Sequence, residues 1–268
     1  MNKVTWVVQT NLISDFTAHS VWYAAQDNGC DTKEAVIIPF QDELGNEEDL
    51  LTMDVNGVVI PYGSCKLTRI SKIRGWRGNC YDEDTFRSDI WLEKRDDMLN
   101  SESHFMKVKD TAEFFKDTPD SDQWFIRPVK DLKQFNGTVA DVADIRNWMN
   151  STKSGNFSFG EDTEIMLAPV QTLYSEARFF IVGGKIVDGS YYKMGGRTHT
   201  ANIKQQEVLD SAQKLADKWL PHECCVMDVA DTDNGLKVIE FNTFNSSGFY
   251  DHNIPNIVKA MTEWARKL

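Results

Sequence analysis

Apolar and polar positions change their period several times along this chain. A short apolar run from Val4 to Val8 is followed by an amphipathic stretch from Phe16 to Gln26, then by apolar runs at Ala35 to Ile38 and Gly57 to Pro61. Short apolar runs predict buried strands and a 3.6-residue spacing predicts a helix, so this part reads strand, helix, strand, strand. Asp82 and Asp84 can cap a helix that holds Phe86, Ile90 and Trp91 on one face and extends towards Leu99. Polarity rises between Ser101 and Asp122, around a short amphipathic piece at Phe114 and Phe115, and a domain boundary is expected near residue 105.

The second half predicts a strand over Trp124 to Val129, a helix over Val142 to Met149 and a strand over Glu164 to Val170. A Gly183-Gly184 turn should join Arg178 to Val182 with Lys185 to Tyr192 as a hairpin. A helix from Ile203 to Trp219 leads to a second hairpin, Cys225 to Ala230 with Leu236 to Asn242, and a helix from Ile257 to Leu268 closes the pattern. No internal repeat or low-complexity segment interrupts it.

Composition narrows the class. With 268 residues, 41% hydrophobic and 26% charged, the chain can bury a sizeable core and has room for two modest lobes. The opening residues carry one cation and too short an apolar run for a signal peptide, and no stretch approaches the ~20 apolar residues of a membrane span. Its five cysteines, Cys30, Cys65, Cys80, Cys224 and Cys225, are odd in number and lack a C-x-x-C pair. A cytoplasmic protein with reduced thiols is expected. The formal net charge of -12 disfavours nucleic acid as a partner. One basic stretch, Lys66 to Arg77, reads either as the solvated face of an amphipathic segment or as a patch for an acidic substrate.

The second hairpin carries the most chemistry. A two-residue Asn234-Gly235 turn would set Asp228 opposite Phe241; a three-residue Asp233-Asn234-Gly235 loop with a left-handed glycine would set Asp228 opposite Glu240. The apolar pattern favours the second register, which gathers Val229, Ile239 and Phe241 on one face and Asp228, Glu240 and Asn242 on the other. Facing carboxylates destabilise a sheet unless a cation neutralises them. Two carboxylates and an amide oxygen make a partial site for magnesium, which keeps water or phosphate oxygens as its other ligands. A solvated hairpin face with scattered acids is the competing reading.

A metal-bound polyphosphate would also need local cations. Arg127 ends an apolar strand, Lys133 follows in the next loop, and Arg178 sits in an apolar strand where an unpaired guanidinium would be costly. Its partner is expected to be Glu176, Asp188 or a phosphoryl group. Lys193 and Arg197 flank the pair Gly195-Gly196, which suggests a mobile loop carrying cations. No G-x-x-x-x-G-K-[ST] or G-x-G-x-x-G occurs, and no Ser-His-Asp or Cys-His arrangement has recognisable spacing.

Together these segments resemble the ATP-grasp superfamily over Phe105 to Leu268. Phe125-Ile126-Arg127-Pro128 with Lys133 and Gly137 is similar to the first phosphate-binding strand and loop, and Met166-Leu167-Ala168-Pro169-Val170 to the adenine hinge. Glu176 to Val182 is similar to the arginine strand, and Val238 to Asn242 with Asp228 to the metal-binding hairpin. The lysine usual in the first strand is an arginine here and the glycine-rich loop is abbreviated, features that resemble a divergent clade known from phages and bacteria. The cytoplasm would then be that of the host if the source is viral.

The resemblance implies an α+β class, with two α+β subdomains gripping ATP over residues 105–268 behind a small α/β domain over residues 1–104. It implies ATP and Mg2+ as cofactors, and transfer of the γ-phosphoryl group to a carboxylate to give an acyl phosphate that an amine attacks. Arg127, Lys133 and Arg178 would bind phosphates, Ala168, Pro169 and Val170 would frame adenine, and Asp228, Glu240 and Asn242 would hold magnesium. Arg178 and Arg197 would stabilise developing charge. The small polar groups after the metal strand, Asn245, Ser246 and Ser247, with Tyr250, would line a pocket for a small-molecule or peptide carboxylate and amine, with Pro61 to Ser64 approaching from the other lobe. A small-molecule kinase and a nucleotide-gated binding module are the rival functions.

Overall fold

Strand β1 (Val4–Gln9) is buried along its whole length, as its nearly unbroken apolar run implies for a central parallel strand covered on both faces. The computed structural model describes residues 2–11, 13–39, 41, 43–51, 53, 56–130, 135–152 and 160–268. In it β1 lies between β2 (Asp31–Ala35) and β3 (Val58–Tyr62), parallel to both. Helix α1 (Asp15–Asp27) makes the first crossover, and α2 (Glu47–Leu51) precedes β3. Helix α3 (Cys65–Ile73) follows, its first turn capped by the Ser64 hydroxyl, which accepts from the Leu67 N–H at 3.5 Å. Its exposed Arg69 and Lys72, with Arg77 beyond its end, face solvent while Leu67 and Ile70 are buried, which is the amphipathic arrangement rather than a cationic pocket.

The helix expected over Asp82 to Leu99 is shorter. Phe86 closes a turn onto Asp82, then α4 (Ser88–Lys94) stops where Arg95 turns extended. Arg95 is buried and grips Asp97 through two bonds of 2.8 Å while donating to the Leu215 carbonyl at the end of another helix, so the chain is pulled out of helical geometry. Burial alone would raise the Asp97 carboxyl, but the bonds from Arg95 and Lys218 hold it below its ordinary value. A depressed carboxyl contributes stability that is complete at neutrality and is lost as pH falls through the folded value. Asp97→Asn should therefore cost roughly 3 kcal/mol at neutral pH, and the gap to the wild type in thermal unfolding should close once pH drops below about 4. A gap that widens in acid would contradict this.

Beyond α4, strands β4 (His104–Lys107), β5 (Gln123–Pro128), β6 (Thr138–Asp141) and β7 (Glu164–Pro169) form an antiparallel sheet in the order β4-β7-β5-β6. Helices α5 (Thr111–Phe114) and α6 (Val142–Thr152) accompany it, with Val108, Phe115, Ile126, Val142, Ile145 and Leu167 in its core. A second antiparallel sheet has the order β10-β9-β8-β11-β12. It comprises β8 (Ser175–Val182), β9 (Lys185–Met194), β10 (Arg197–Asn202), β11 (Cys225–Thr232) and β12 (Gly235–Thr243), with α7 (Gln206–Ala216) after β10 and α8 (Ile254–Ala265) at the end.

Strands β2, β4, β6 and β10 are all sheet edges, and each carries polar, largely exposed positions. An edge has no need of an apolar alternation, which is why the pattern missed β4, β6 and β10 and placed β2 four residues late. The Gly195-Gly196 pair is a tight turn with both residues left-handed (φ 54° and 74°), so Lys193 and Arg197 belong to a β-hairpin rather than to a loose loop. Helix α8 begins before Ile257, its first turn set by the Asn253 side chain and by Pro255.

The alternation along β8 organises the whole molecule. Phe179 and Ile181 enter a core with Trp91, Phe86, Ala212, Ala216 and Phe241. Phe180 and Val182 enter the other core, with Trp6 and Val8 of β1, Val21 of α1 and Ile257, Val258 and Met261 of α8. Trp6 donates its indole N–H to Thr262 at 3.1 Å, so the first strand and the last helix are bonded directly.

Candidate active site

On the second of these faces the residue before Phe180 in alternation is Arg178, and the residue after Val226 is Asp228. The face that is apolar at one end is therefore charged at the other. Asp228 pairs in register with Arg178 on β8 and with Glu240 on β12. The facing acids are those expected, but the turn is neither of the two considered. Gly235, left-handed at φ 81°, pairs with Thr232 across a two-residue Asp233-Asn234 loop, and a bulge opposite Asp228 and Val229 restores the register that the shorter loop would have lost.

The side chains close into two ion pairs. Arg178 grips Asp228 bidentately, both bonds at 2.8 Å, and lies over the rings of Tyr250 at 5.1 Å and Tyr192 at 6.0 Å. Its partner is thus neither Glu176 nor Asp188. Glu240 accepts from Arg127 at 2.6 Å and from the Asn242 amide at 3.0 Å. Arg127 comes from the other sheet, on β5, and its guanidinium rests on Trp91 at 5.3 Å. Burial would depress the Arg178 guanidinium, but Asp228 holds it above its ordinary value. Burial pushes the Asp228 carboxyl up against the pull of Arg178, with Glu240 and Glu176 adding to the push. Burial would also raise Glu240, yet Arg127, with help from Asn242, keeps it below the usual carboxylate value.

A cavity of about 620 Å3 opens beside this cluster, within the size range of small-ligand sites. Leu99, Phe125 and Ile239 supply apolar walls, Pro169 and Val170 one edge, and Glu176, Lys193 and Glu240 charge. Glu176 is bonded by the Tyr192 hydroxyl and by Lys193, both at 2.9 Å. Burial, then Asp228 and Glu176, raise the Tyr192 hydroxyl above its ordinary pKa, so it stays a donor. Ala168 turns its side chain into the core, leaving only its backbone for a ligand at that edge. Arg197 opens β10, exposed and outside the residues that line the cavity. Lys133 lies outside the described residues.

The segment after β12 corrects one expectation. Asn245 is fully buried; its amide donates to the Pro61 and Gly78 carbonyls at 2.8 and 3.0 Å and accepts from the Cys80 N–H at 2.7 Å. The Ser247 hydroxyl donates to Thr243 at 2.7 Å, and the Ser247 carbonyl accepts from Tyr62 at 2.8 Å. Ser246 meets Cys65 at 3.4 Å. These groups bind the N-terminal sheet to the end of β12 instead of facing a ligand, because small polar side chains satisfy buried backbone as readily as they satisfy substrates. Pro61 to Ser64 do meet this segment, as hydrogen-bond partners. Tyr250 alone of the four faces the cluster, stacked on Tyr192 at 4.9 Å. Asn245→Ala should orphan three buried partners and lower stability by roughly 3 kcal/mol; an unchanged melting temperature would contradict that role.

Trp91 and Tyr192 were not singled out by the sequence as site residues. Trp91 reads as a core aromatic, which it also is, and only the crossing of α4 under β5 sets it beneath Arg127.

The chemistry of the donor set can be tested against magnesium. Asp228, Glu240 and Asn242 share one face, are all oxygen donors, and include two acids that repel each other. That is a hard, anionic, incomplete set, which fits magnesium and not a thiophilic metal.

A family model described as an ATP-grasp domain, family 3 of its clade, matches residues 68–261. No curated protein is detectably similar to the chain in sequence. Among solved structures it is similar to a RimK domain ATP-grasp protein from Sphaerobacter thermophilus, with a TM-score of 0.61 at 9% identity, covering 96% of this chain and 97% of that one. It is similar to D-alanine–D-alanine ligase from Bacillus anthracis complexed with ATP, with a TM-score of 0.60 at 11% identity over 100% and 98% of the two chains. It is also similar to the ATP-grasp ligase PsnB complexed with a minimal precursor, with a TM-score of 0.58 at 12% identity over 98% and 99%. At such identities the likeness is one of fold, and the fold is ATP-grasp.

Proposed function

The chain belongs to the ATP-grasp domain family whose model it matches, and from that premise we propose that it is an ATP- and magnesium-dependent ligase joining a carboxylate to an amine through an acyl phosphate. The observation that carries this reading is the pair of buried acid–guanidinium contacts, Asp228 with Arg178 and Glu240 with Arg127, set where two sheets border a ligand-sized cavity. Buried ion pairs are poor stabilisers, since apolar residues of the same volume often do as well or better. Two of them side by side point to charge kept for use.

Asp228, Glu240 and Asn242 would hold magnesium, which when bound would help neutralise the charge on the transferring phosphoryl group. Relieved of their acids, Arg127 and Arg178 are the nearby guanidiniums able to fork onto phosphate oxygens. Pro169 and Val170, with the Ala168 backbone, border the part of the cavity assigned to adenine. Arg178, under the Tyr192 and Tyr250 rings, sits on the acceptor side, where a fixed cation favours the developing oxyanion. Lys133 and Arg197 are proposed to complete the phosphate and acceptor contacts. A division into residues 1–104 and 105–268 accompanies this proposal, with β4 as the first element of the gripping sheets.

The test is release of ADP and phosphate by the full chain across a panel of carboxylates and amines, small molecules and peptides alike. Turnover that needs both a carboxylate and an amine is expected. A stable phosphorylated product formed without amine would make the protein a kinase, and ATP binding without turnover on any acceptor would make it a binding module.

A further inference from the structure

At the far end of β11 from the acids, Cys80, His222 and Cys224 bring one ligating atom each to within 4.8 Å of one another. Cys224 is four residues from Asp228, so along an extended strand the two sites are roughly 13 Å apart. Both thiols are completely buried and the histidine is half-buried. This cluster takes no part in the proposed ligase chemistry and does not depend on it.

Each ligand is braced from behind. The Cys80 amide donates to Asn245 at 2.7 Å, which fixes the segment that carries the thiol. The His222 Nδ1 lies against the Cys224 backbone, 2.9 Å from its nitrogen and 3.1 Å from its carbonyl oxygen, and its ring packs edge-on to Trp264. The Gly183 N–H points at the Cys224 sulfur at 3.5 Å. Ligands oriented by such outer contacts are the mark of a built metal site. The vicinal Cys225 faces the opposite core and cannot join them.

Charge selects the metal. A divalent cation that displaces two thiol protons leaves two thiolates, a neutral imidazole and no net charge, which is the form a buried site tolerates. Sulfur and imidazole suit zinc and exclude magnesium. We propose that Cys80, His222 and Cys224 form a site for a thiophilic divalent cation of the zinc class, open to water on the histidine side, which staples the segment after α3 to the start of β11.

The test uses the full chain, stripped with a chelator and kept reduced. Zinc titrated against a chromophoric competitor should show one equivalent bound and should raise the melting temperature. Cobalt should give thiolate-to-metal charge transfer and intense tetrahedral visible bands that excess magnesium does not disturb. His222→Gln, which alters only the half-buried ligand, should weaken zinc by at least the ~100-fold that disturbing even an outer contact can cost, while Cys65→Ser should leave binding unchanged. No charge-transfer band, magnesium displacing cobalt, or equal affinity in His222→Gln would overturn the proposal. So would reduced protein that refuses zinc and forms only a Cys80–Cys224 disulfide on air oxidation.

Discussion

Glu240→Gln is expected to abolish magnesium-dependent ADP production, by roughly three orders of magnitude or more, while the protein stays folded. Glutamine keeps the size of the side chain and an oxygen that Arg127 and Asn242 can still bond, so the junction between the two sheets survives. What disappears is one of two carboxylate charges facing each other across β11 and β12. With Asp228 alone, the anionic set no longer matches a divalent cation, and the repulsion that binding would relieve is gone. Equal turnover in Glu240→Gln and wild type, measured by coupled ADP release at saturating magnesium, would remove the assignment.

Arg178→Lys should be nearly as damaging for a different reason. Lysine keeps the positive charge beside the buried Asp228, so the variant avoids the 3 to 5 kcal/mol that an uncompensated buried carboxylate can cost. It loses the planar fork that makes two bonds of 2.8 Å to Asp228 and stacks beneath Tyr250. If the guanidinium acts on the phosphoryl group and the acceptor oxyanion, kcat should fall by roughly 100- to 1000-fold with a much smaller change in KM for ATP. A variant that loses thermal stability but keeps its kcat would show Arg178 to be only a structural partner of Asp228.

The sequence reached the central strands and the facing acids because both leave a pattern. Phe179 to Val182 and Val226 to Ala230 must alternate between two cores, and that alternation carries Arg178, Asp228 and Glu240 onto one face. The edge strands β4, β6 and β10 left no such trace, since one side of each meets solvent or turns away from a core. The bulge in β12 was illegible for another reason. The pairing it restores is the one an uninterrupted three-residue loop would also produce, so the apolar pattern could not tell them apart. Contacts between distant segments were hidden altogether. Arg127 on Trp91, and Asn245 between Pro61, Gly78 and Cys80, depend on how sheets and helices cross, and nothing local in Asn245-Ser246-Ser247 separates a clasp from a pocket. The same holds for Cys80 and His222, more than a hundred residues apart in the chain yet side by side in the fold.

The most direct measurement is a crystal structure of the chain with magnesium and a non-hydrolysable ATP analogue. The account predicts a cation shared by Asp228 and Glu240, phosphate oxygens on Arg127 and Arg178 in place of those acids, and the base against Pro169 and Val170. A nucleotide bound elsewhere, with Arg178 still clasping Asp228 and Arg127 still on Glu240, would contradict it.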